Sequence, residues 1–288
     1  MKPGGAPSIV AATMTLPPQF PGAPTPSPDS QPEARPAPRY MNARLKLDIG
    51  DVALSSSISV PADPSPAESV LPTLQNLIND VVDAVERREF AAGREISCRQ
   101  GCGACCRQLV PVSRAEARAM QRVVEGLEAD RRQAVTARFA AASAALREAG
   151  LAEALLNPAL RQDRADRDLS LAYFALGLAC PFLEDESCSI HPLRPLACRE
   201  YLVTSPAENC SNKDQAGVVP VAVPKLSVAA RGLENDEAGR DTTADWVPLA
   251  LAFDVPAADA AKRRLLPGPE WVKRFFAAFN NASQGQVR

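Results

Sequence analysis

All eight cysteines of the chain fall into two groups of four, Cys98-x3-Cys102-x2-Cys105-Cys106 within "SCRQGCGACCRQ" and Cys180-x7-Cys188-x9-Cys198-x11-Cys210 within "ACPFLEDESCSIHPLRPLACREYLVTSPAENC". Between residues 107 and 179 there is none. Thiols serving as small buried apolar groups would scatter through the chain as its alanines and leucines do. Clustered at short spacing, they point to metal or redox chemistry. Any fold for this chain must therefore bring two loops together around their sulfur atoms. Disulfides fit poorly, because a bond between the neighbours Cys105 and Cys106 strains the peptide and longer pairings need an oxidising compartment. A metal uses the pattern well: two cysteines separated by two residues in a tight turn can place both sulfurs on one ion. Gly101 and Gly103 flank Cys102, which lets the backbone turn sharply and aim amide N–H groups at thiolates.

Four thiolates around a zinc ion or a [4Fe–4S] cluster leave a charge of about −2, to be offset by nearby cations and hydrogen bonds. Arg94, Arg99, Arg107, Arg194 and Arg199 all lie close to a cysteine in sequence, and Arg194 and Arg199 are the expected partners of the cofactor. The chain's one histidine, His191, sits inside the second group and is a candidate ligand beside the eight cysteines. A single histidine excludes a Ser-His-Asp arrangement built elsewhere. A Cys–His nucleophile pair would leave seven cysteines without a role. Eight thiols exceed the four that one zinc takes, which leaves two zinc sites, one or two iron–sulfur clusters, or one centre with spare redox-active thiols.

The rest of the chain reads as scaffold. Residues 1–65 are rich in proline, glycine and serine and are expected to form a disordered tail. Residues 66–288 then make a single metal-binding domain with its cysteine core at about 95–210. Leu71, Leu74, Leu77, Ile78, Val81, Val82 and Val85 share one helical face, and Gly93 ends that helix. Ser113 and Glu116 form a capping-box pattern that opens a second helix, with Met120, Val123, Val124 and Leu127 inward. A third, alanine-rich helix spans about 128–149 and stops at Gly150. "CPFL" and "CSI" flank the polar "EDES" as two short strands flank a turn, Pro192 and Pro195 suit the start of a short helix through "LACREYL", and "PEWVKRFFAAF" is a final helix. The fold class is thus mainly α with a short β hairpin, a small α+β domain whose cysteine-rich loops surround a metal centre.

"CRQGCGACCR" followed by "CPFLEDESCSIHPLRPLACREY" resembles the CxxCxxCC cysteine-cluster family of zinc- or iron-chelating proteins, the YkgJ type. The resemblance rests on Cys180, Pro181, Phe182, Leu183, Cys188, Ile190, His191, Arg194, Pro195, Cys198 and Arg199 and covers about residues 95–210. The first gap is three residues here rather than two, and His191 stands where many members have tyrosine. The family implies metal or iron–sulfur binding and leaves the metal open. A related class with a similar signature, the flagellin lysine N-methylases, implies an alternative in S-adenosylmethionine-dependent methyl transfer to a protein lysine, although no glycine-rich strand–helix turn for a nucleoside is present. A structural zinc-binding interaction protein is the other alternative.

A formal net charge of −2 without a basic stripe argues against a nucleic-acid partner. No apolar run has the length of a membrane span, and the prolines near the start interrupt any secretory signal, so the expectation is a cytoplasmic protein whose thiols stay reduced and whose partner is an unidentified protein. The expected cofactor is an iron–sulfur cluster, [4Fe–4S] ahead of zinc.

Overall fold

Residues 40–61 form a long antiparallel hairpin, inside the stretch expected to be a disordered tail. Strand β3 (Tyr40–Ile49) pairs along its whole length with β4 (Val52–Pro61), and its other edge takes two short strands, β1 (Ser8–Ile9) and β2 (Thr13–Thr15). The reason is a period of two that the surrounding prolines and serines mask. Ala43, Leu45 and Leu47 on β3 and Val52, Ser56, Ile58 and Val60 on β4 point into the protein, while Asn42, Arg44, Lys46 and Asp48 point out. The computed structural model describes residues 8–9, 13–15, 38–49, 52–161, 166–212, 216–234, 246–255 and 263–285, and the remainder of the 1–65 segment lies outside them.

The hairpin packs on α1 (Leu71–Ala91), whose expected apolar face is buried except for the partly covered Val82. Thr73 at the start of α1 donates to the Ser59 carbonyl at 2.6 Å. Gly93, at φ 72°, ends the helix as anticipated. Helix α9 (Gly268–Gly285) closes the same core with Trp271, Val272, Phe275, Phe276 and Phe279, and the Trp271 indole donates to the Ser65 carbonyl at 2.8 Å. A Cβ on Gly268 would lie 2.6 Å from both the Val60 Cβ and the Pro61 carbonyl oxygen, so the approach of α9 to β4 needs glycine.

A second core lies under the cysteine segments. Strand β5 (Pro111–Val112) leads into α2 (Arg114–Glu125), which opens with the full capping box of Ser113 and Glu116. Helix α3 (Ala129–Glu148) turns Val135, Phe139, Ala142 and Leu146 inward and is followed by Gly150 at φ 69°. Helices α4 (Ala152–Leu156) and α6 (Asp166–Ala175) cover its far end, and α5 (Pro158–Arg161) packs on α4. The expected short hairpin is present as β6 (Leu183–Glu184) and β7 (Ser187–Cys188), joined through Asp185 and Glu186 at φ 49° and 55°, the two-residue turn with positive φ at both positions that matches strand twist. Helix α7 (Leu196–Glu200) starts after Pro195, α8 (Leu226–Arg231) packs on it, and β8 (Val247–Pro248) pairs with β5. The fold class is the expected small, mainly α arrangement with a short hairpin. Among the described residues no helix is long and apolar enough to cross a membrane.

Candidate metal centre

The first cysteine loop is a chain of tight turns. Cys102 N–H donates to the Arg99 carbonyl, Cys106 N–H to Gly103 and Gln108 N–H to Cys105, at 3.1, 2.9 and 3.0 Å. Gly101 sits at φ 90°, a conformation that costs a side-chain-bearing residue. Gly103 has a different job from the one expected of it. A Cβ there would lie 2.5 Å from the Glu186 carbonyl oxygen and 2.8 Å from Leu183 Cδ1, so this glycine lets the loop lie directly on the β6–β7 hairpin that carries Cys188.

The two cysteine segments are stitched together at several points. Cys180 N–H donates to the Cys106 carbonyl at 2.7 Å, and Arg107 makes a two-bond ion pair with Glu186 at 2.6 and 3.0 Å. Ser97 N–H reaches the Val203 carbonyl at 2.9 Å, and Val203 N–H returns to Cys98 Sγ at 3.4 Å. The Gln108 amide donates to the Cys210 carbonyl at 3.1 Å and to the Tyr201 hydroxyl at 3.3 Å. These bonds bring together residues from 74 to 106 positions apart.

Between the segments lies a cavity of about 280 Å³ whose wall includes Cys102, Cys105, Cys106, Cys180, Cys188 and Cys198, with His191 and Arg194. Six of the eight sequence-predicted thiols thus share one space with the predicted histidine. Cys98 and Cys210 are not on that wall. Cys98 is occupied by the 201–203 backbone, accepting from Val203 and donating to the Tyr201 carbonyl at 3.8 Å, and Cys210 is buried beside the Tyr201 hydroxyl. All eight are free thiols. Among the described residues, no three His, Cys, Asp or Glu side chains converge closely enough to hold a metal ion as they stand.

The electrostatics favour the protonated form of six of the thiols. Burial pushes Cys180 up to about 12, Cys210 up to about 11, and Cys198 well above the ordinary thiol value. Cys105 is raised by its side-chain hydrogen bond with Cys106 and then by burial. Burial also raises Cys98 and Cys188. The charge of Arg194 opposes these shifts at Cys98, Cys105, Cys188 and Cys198. Among the described residues, Arg194 Nε is buried without a hydrogen-bond partner, which suits a guanidinium facing groups that become anionic. Arg199 behaves differently. It is off the wall and 5% exposed, and its guanidinium donates to the Arg194 and Pro192 carbonyls and to Asn79 Oδ1 at 3.0, 2.6 and 2.8 Å. It shapes the 192–199 loop and adds charge near Cys188 and Cys198, while burial, and then the charge of Arg194, lower it to about 10. Burial, then Arg194 and Arg199, lower His191, favouring the neutral imidazole that a metal ligand requires.

Two buried carboxylates beside the cavity were not singled out as site residues. Glu200 accepts Ser227 N–H and Oγ–H, both at 2.6 Å, and burial raises it to about 7. Glu116 was visible only as half of a capping box, but it also accepts the Leu196 N–H at 2.9 Å. No local pattern announces a bond across eighty residues.

Residues 97–220 match the CxxCxxCC family, described as a "Putative zinc- or iron-chelating domain". The matched span runs from Ser97 through both cysteine groups and stops at Pro220, so the CxxCxxCC region takes in the whole cavity wall except Lys225–Arg231 and Leu249. The β3–β4 hairpin and α9 lie outside it. No curated protein and no solved structure matches the chain.

Proposed function

We propose that this protein holds an iron–sulfur cluster in the cavity between its two cysteine segments, with ligands drawn from Cys102, Cys105, Cys106, Cys180, Cys188 and Cys198 and with His191 within reach. The observation that carries the reading is the gathering of six thiols, from loops more than seventy residues apart, around one cavity beside a buried guanidinium nitrogen with no hydrogen-bond partner among the described residues. The zinc- or iron-chelating description of the CxxCxxCC domain supports the metal. Six thiols around about 280 Å³ suit a polynuclear cluster better than one zinc ion, which draws four donors to about 2.3 Å.

Charge supports the same reading. Arg194, Lys225 and Arg231 line the cavity with Glu200, and Arg199 and Glu116 interact electrostatically with that group. Four cations against two carboxylates leave a positive excess that a four-thiolate centre of about −2 offsets. When bound, a cluster supplies one-electron chemistry, which suits electron transfer or sensing with a protein partner. The chain's own residues release the thiol protons, turn the first loop through Gly101, let it lie on the β6–β7 hairpin through Gly103, and supply compensating charge from Arg194 and Arg199. Eight free thiols suit a reducing compartment such as the cytoplasm.

Anaerobic purification followed by iron, zinc and acid-labile sulfide analysis tests the proposal. A brown protein containing iron and sulfide is expected. A colourless protein with stoichiometric zinc overturns the cluster in favour of a zinc centre.

A further inference from the structure

Helix α7 carries Cys198 at its third position, and it has no cap of its own. Its N-cap residue is Pro195, whose side chain offers no acceptor, so the Leu196 N–H would be an orphan donor in a buried place. Glu116 supplies the acceptor from another helix, with Oε1 2.9 Å from that N–H. Its Oε2 accepts the Ser113 N–H at 2.9 Å and the Ser113 hydroxyl at 3.0 Å, closing the capping box of α2. The side chain is buried, with 2% of its residue surface exposed. One carboxylate therefore fixes the start of the scaffold helix α2 and the start of the helix that presents Cys198.

We infer that Glu116 is a positioning residue for the metal centre, acting through Cys198. The inference rests on the proposed function and adds to it a residue that contributes no atom to the centre. Three donors converge on Glu116 from two directions, which only an acceptor on both oxygens satisfies. Glutamine turns an N–H toward either Ser113 or Leu196 and loses one set of bonds, and aspartate is a methylene too short to span both. Outer partners that orient a ligand typically cost 10–100-fold in metal affinity when removed. The capping box alone is a helix-stabilising device. The bond to Leu196 is what extends it to the cysteine.

The test is a double-mutant cycle on anaerobically reduced, metal-free protein titrated with Co²⁺ against a chelating competitor, with circular dichroism to verify folding. Glu116→Gln is expected to weaken Co²⁺ binding about 10–100-fold. Ser113→Ala, which removes the α2 cap and leaves the Leu196 bond, is expected to lower the melting temperature without that loss of affinity. In a Cys198→Ser background, Glu116→Gln is expected to have no further effect, since positioning an absent ligand changes nothing. Unchanged affinity in Glu116→Gln, or a full independent effect on top of Cys198→Ser, overturns the inference while leaving the metal centre in place. Wild-type protein that takes up no Co²⁺ overturns this inference, whereas the proposed cluster stands or falls separately on the iron and acid-labile sulfide content of the anaerobically purified protein. Amide exchange in the unmodified chain gives a reading free of folding defects: the Leu196 N–H is expected to be protected and to slow further with Co²⁺, and free exchange in both states refutes the role.

Discussion

Replacing Gly103 by alanine tests whether the two cysteine segments are held in contact by a side chain's absence. The added Cβ would meet the Glu186 carbonyl oxygen at 2.5 Å, the Glu186 carbonyl carbon at 2.9 Å and Leu183 Cδ1 at 2.8 Å. Leu183 can change rotamer. The Glu186 backbone cannot yield easily, because it belongs to a two-residue turn with both φ values positive and its side chain is paired with Arg107. Relief therefore requires the loop and hairpin to separate by several tenths of an ångström. Overpacking of this kind costs about 1–3 kcal/mol, which for a domain of this size is a fall of roughly 3–10 °C in melting temperature. Separation also moves Cys102, Cys105 and Cys106 away from Cys188, so metal affinity falls as well. Gly101→Ala is the control, because its Cβ would meet nothing within 4 Å and its cost is confined to the φ of 90°. The assay is thermal unfolding of metal-free protein alongside metal competition. If Gly103→Ala keeps both the melting temperature and the affinity of wild type, the close packing of loop on hairpin is refuted.

Three further outcomes are expected. Leu45→Ala, in the core face of β3 at 2% exposure, should cost about 2–5 kcal/mol in denaturant unfolding, and a cost near zero would mean that the hairpin is not part of the cooperative core. Glu68 is buried at the junction of Arg118, Arg122 and Arg263; burial alone would raise its pKa, but hydrogen bonds led by Arg118 hold it below the ordinary 4.5. Its stabilising contribution is then complete above pH 4.5 and lost as the pH falls through the lowered folded value; Glu68→Ala should cost about 3–5 kcal/mol at neutral pH and flatten the acid limb of a stability–pH curve, and an unaltered acid limb contradicts the pairing. Because burial lifts the Cys180 thiol from 9.0 to about 12, metal-free protein should lose stability as pH rises through that window, with Cys180→Ser reducing the slope and with an unchanged slope counting against a buried thiol.

The cysteine arithmetic was legible because spacing is local: the two groups, the turn between β6 and β7 and the helix after Pro195 are all written in short stretches. Which thiols share a space was not. The three-residue gap after Cys98 was the one sequence hint that set it apart, and Cys210 carried none; the pairing of residues 97–98 with 201–203, and of Gln108 with Cys210, is what takes them off the cavity wall. The β3–β4 hairpin was hidden for a different reason. Pro61 is its single proline, so it does not share the proline-rich composition of residues 1–38; its signal is an alternation of Leu45 and Leu47 with Arg44, Lys46 and Asp48, which is lost when the whole 1–65 segment is read by its average. The second bond of Glu116 depends on tertiary proximity and has no sequence signature.

The central claim is that thiols from both segments hold one metal centre, and metal content of two paired variants tests it most directly. Cys105→Ser with Cys106→Ser disarms the first segment, and Cys180→Ser with Cys198→Ser disarms the second. With both proteins purified anaerobically and shown to be folded, the account predicts that each loses the same metal that the wild type carries. Full retention of that metal by either pair would contradict it.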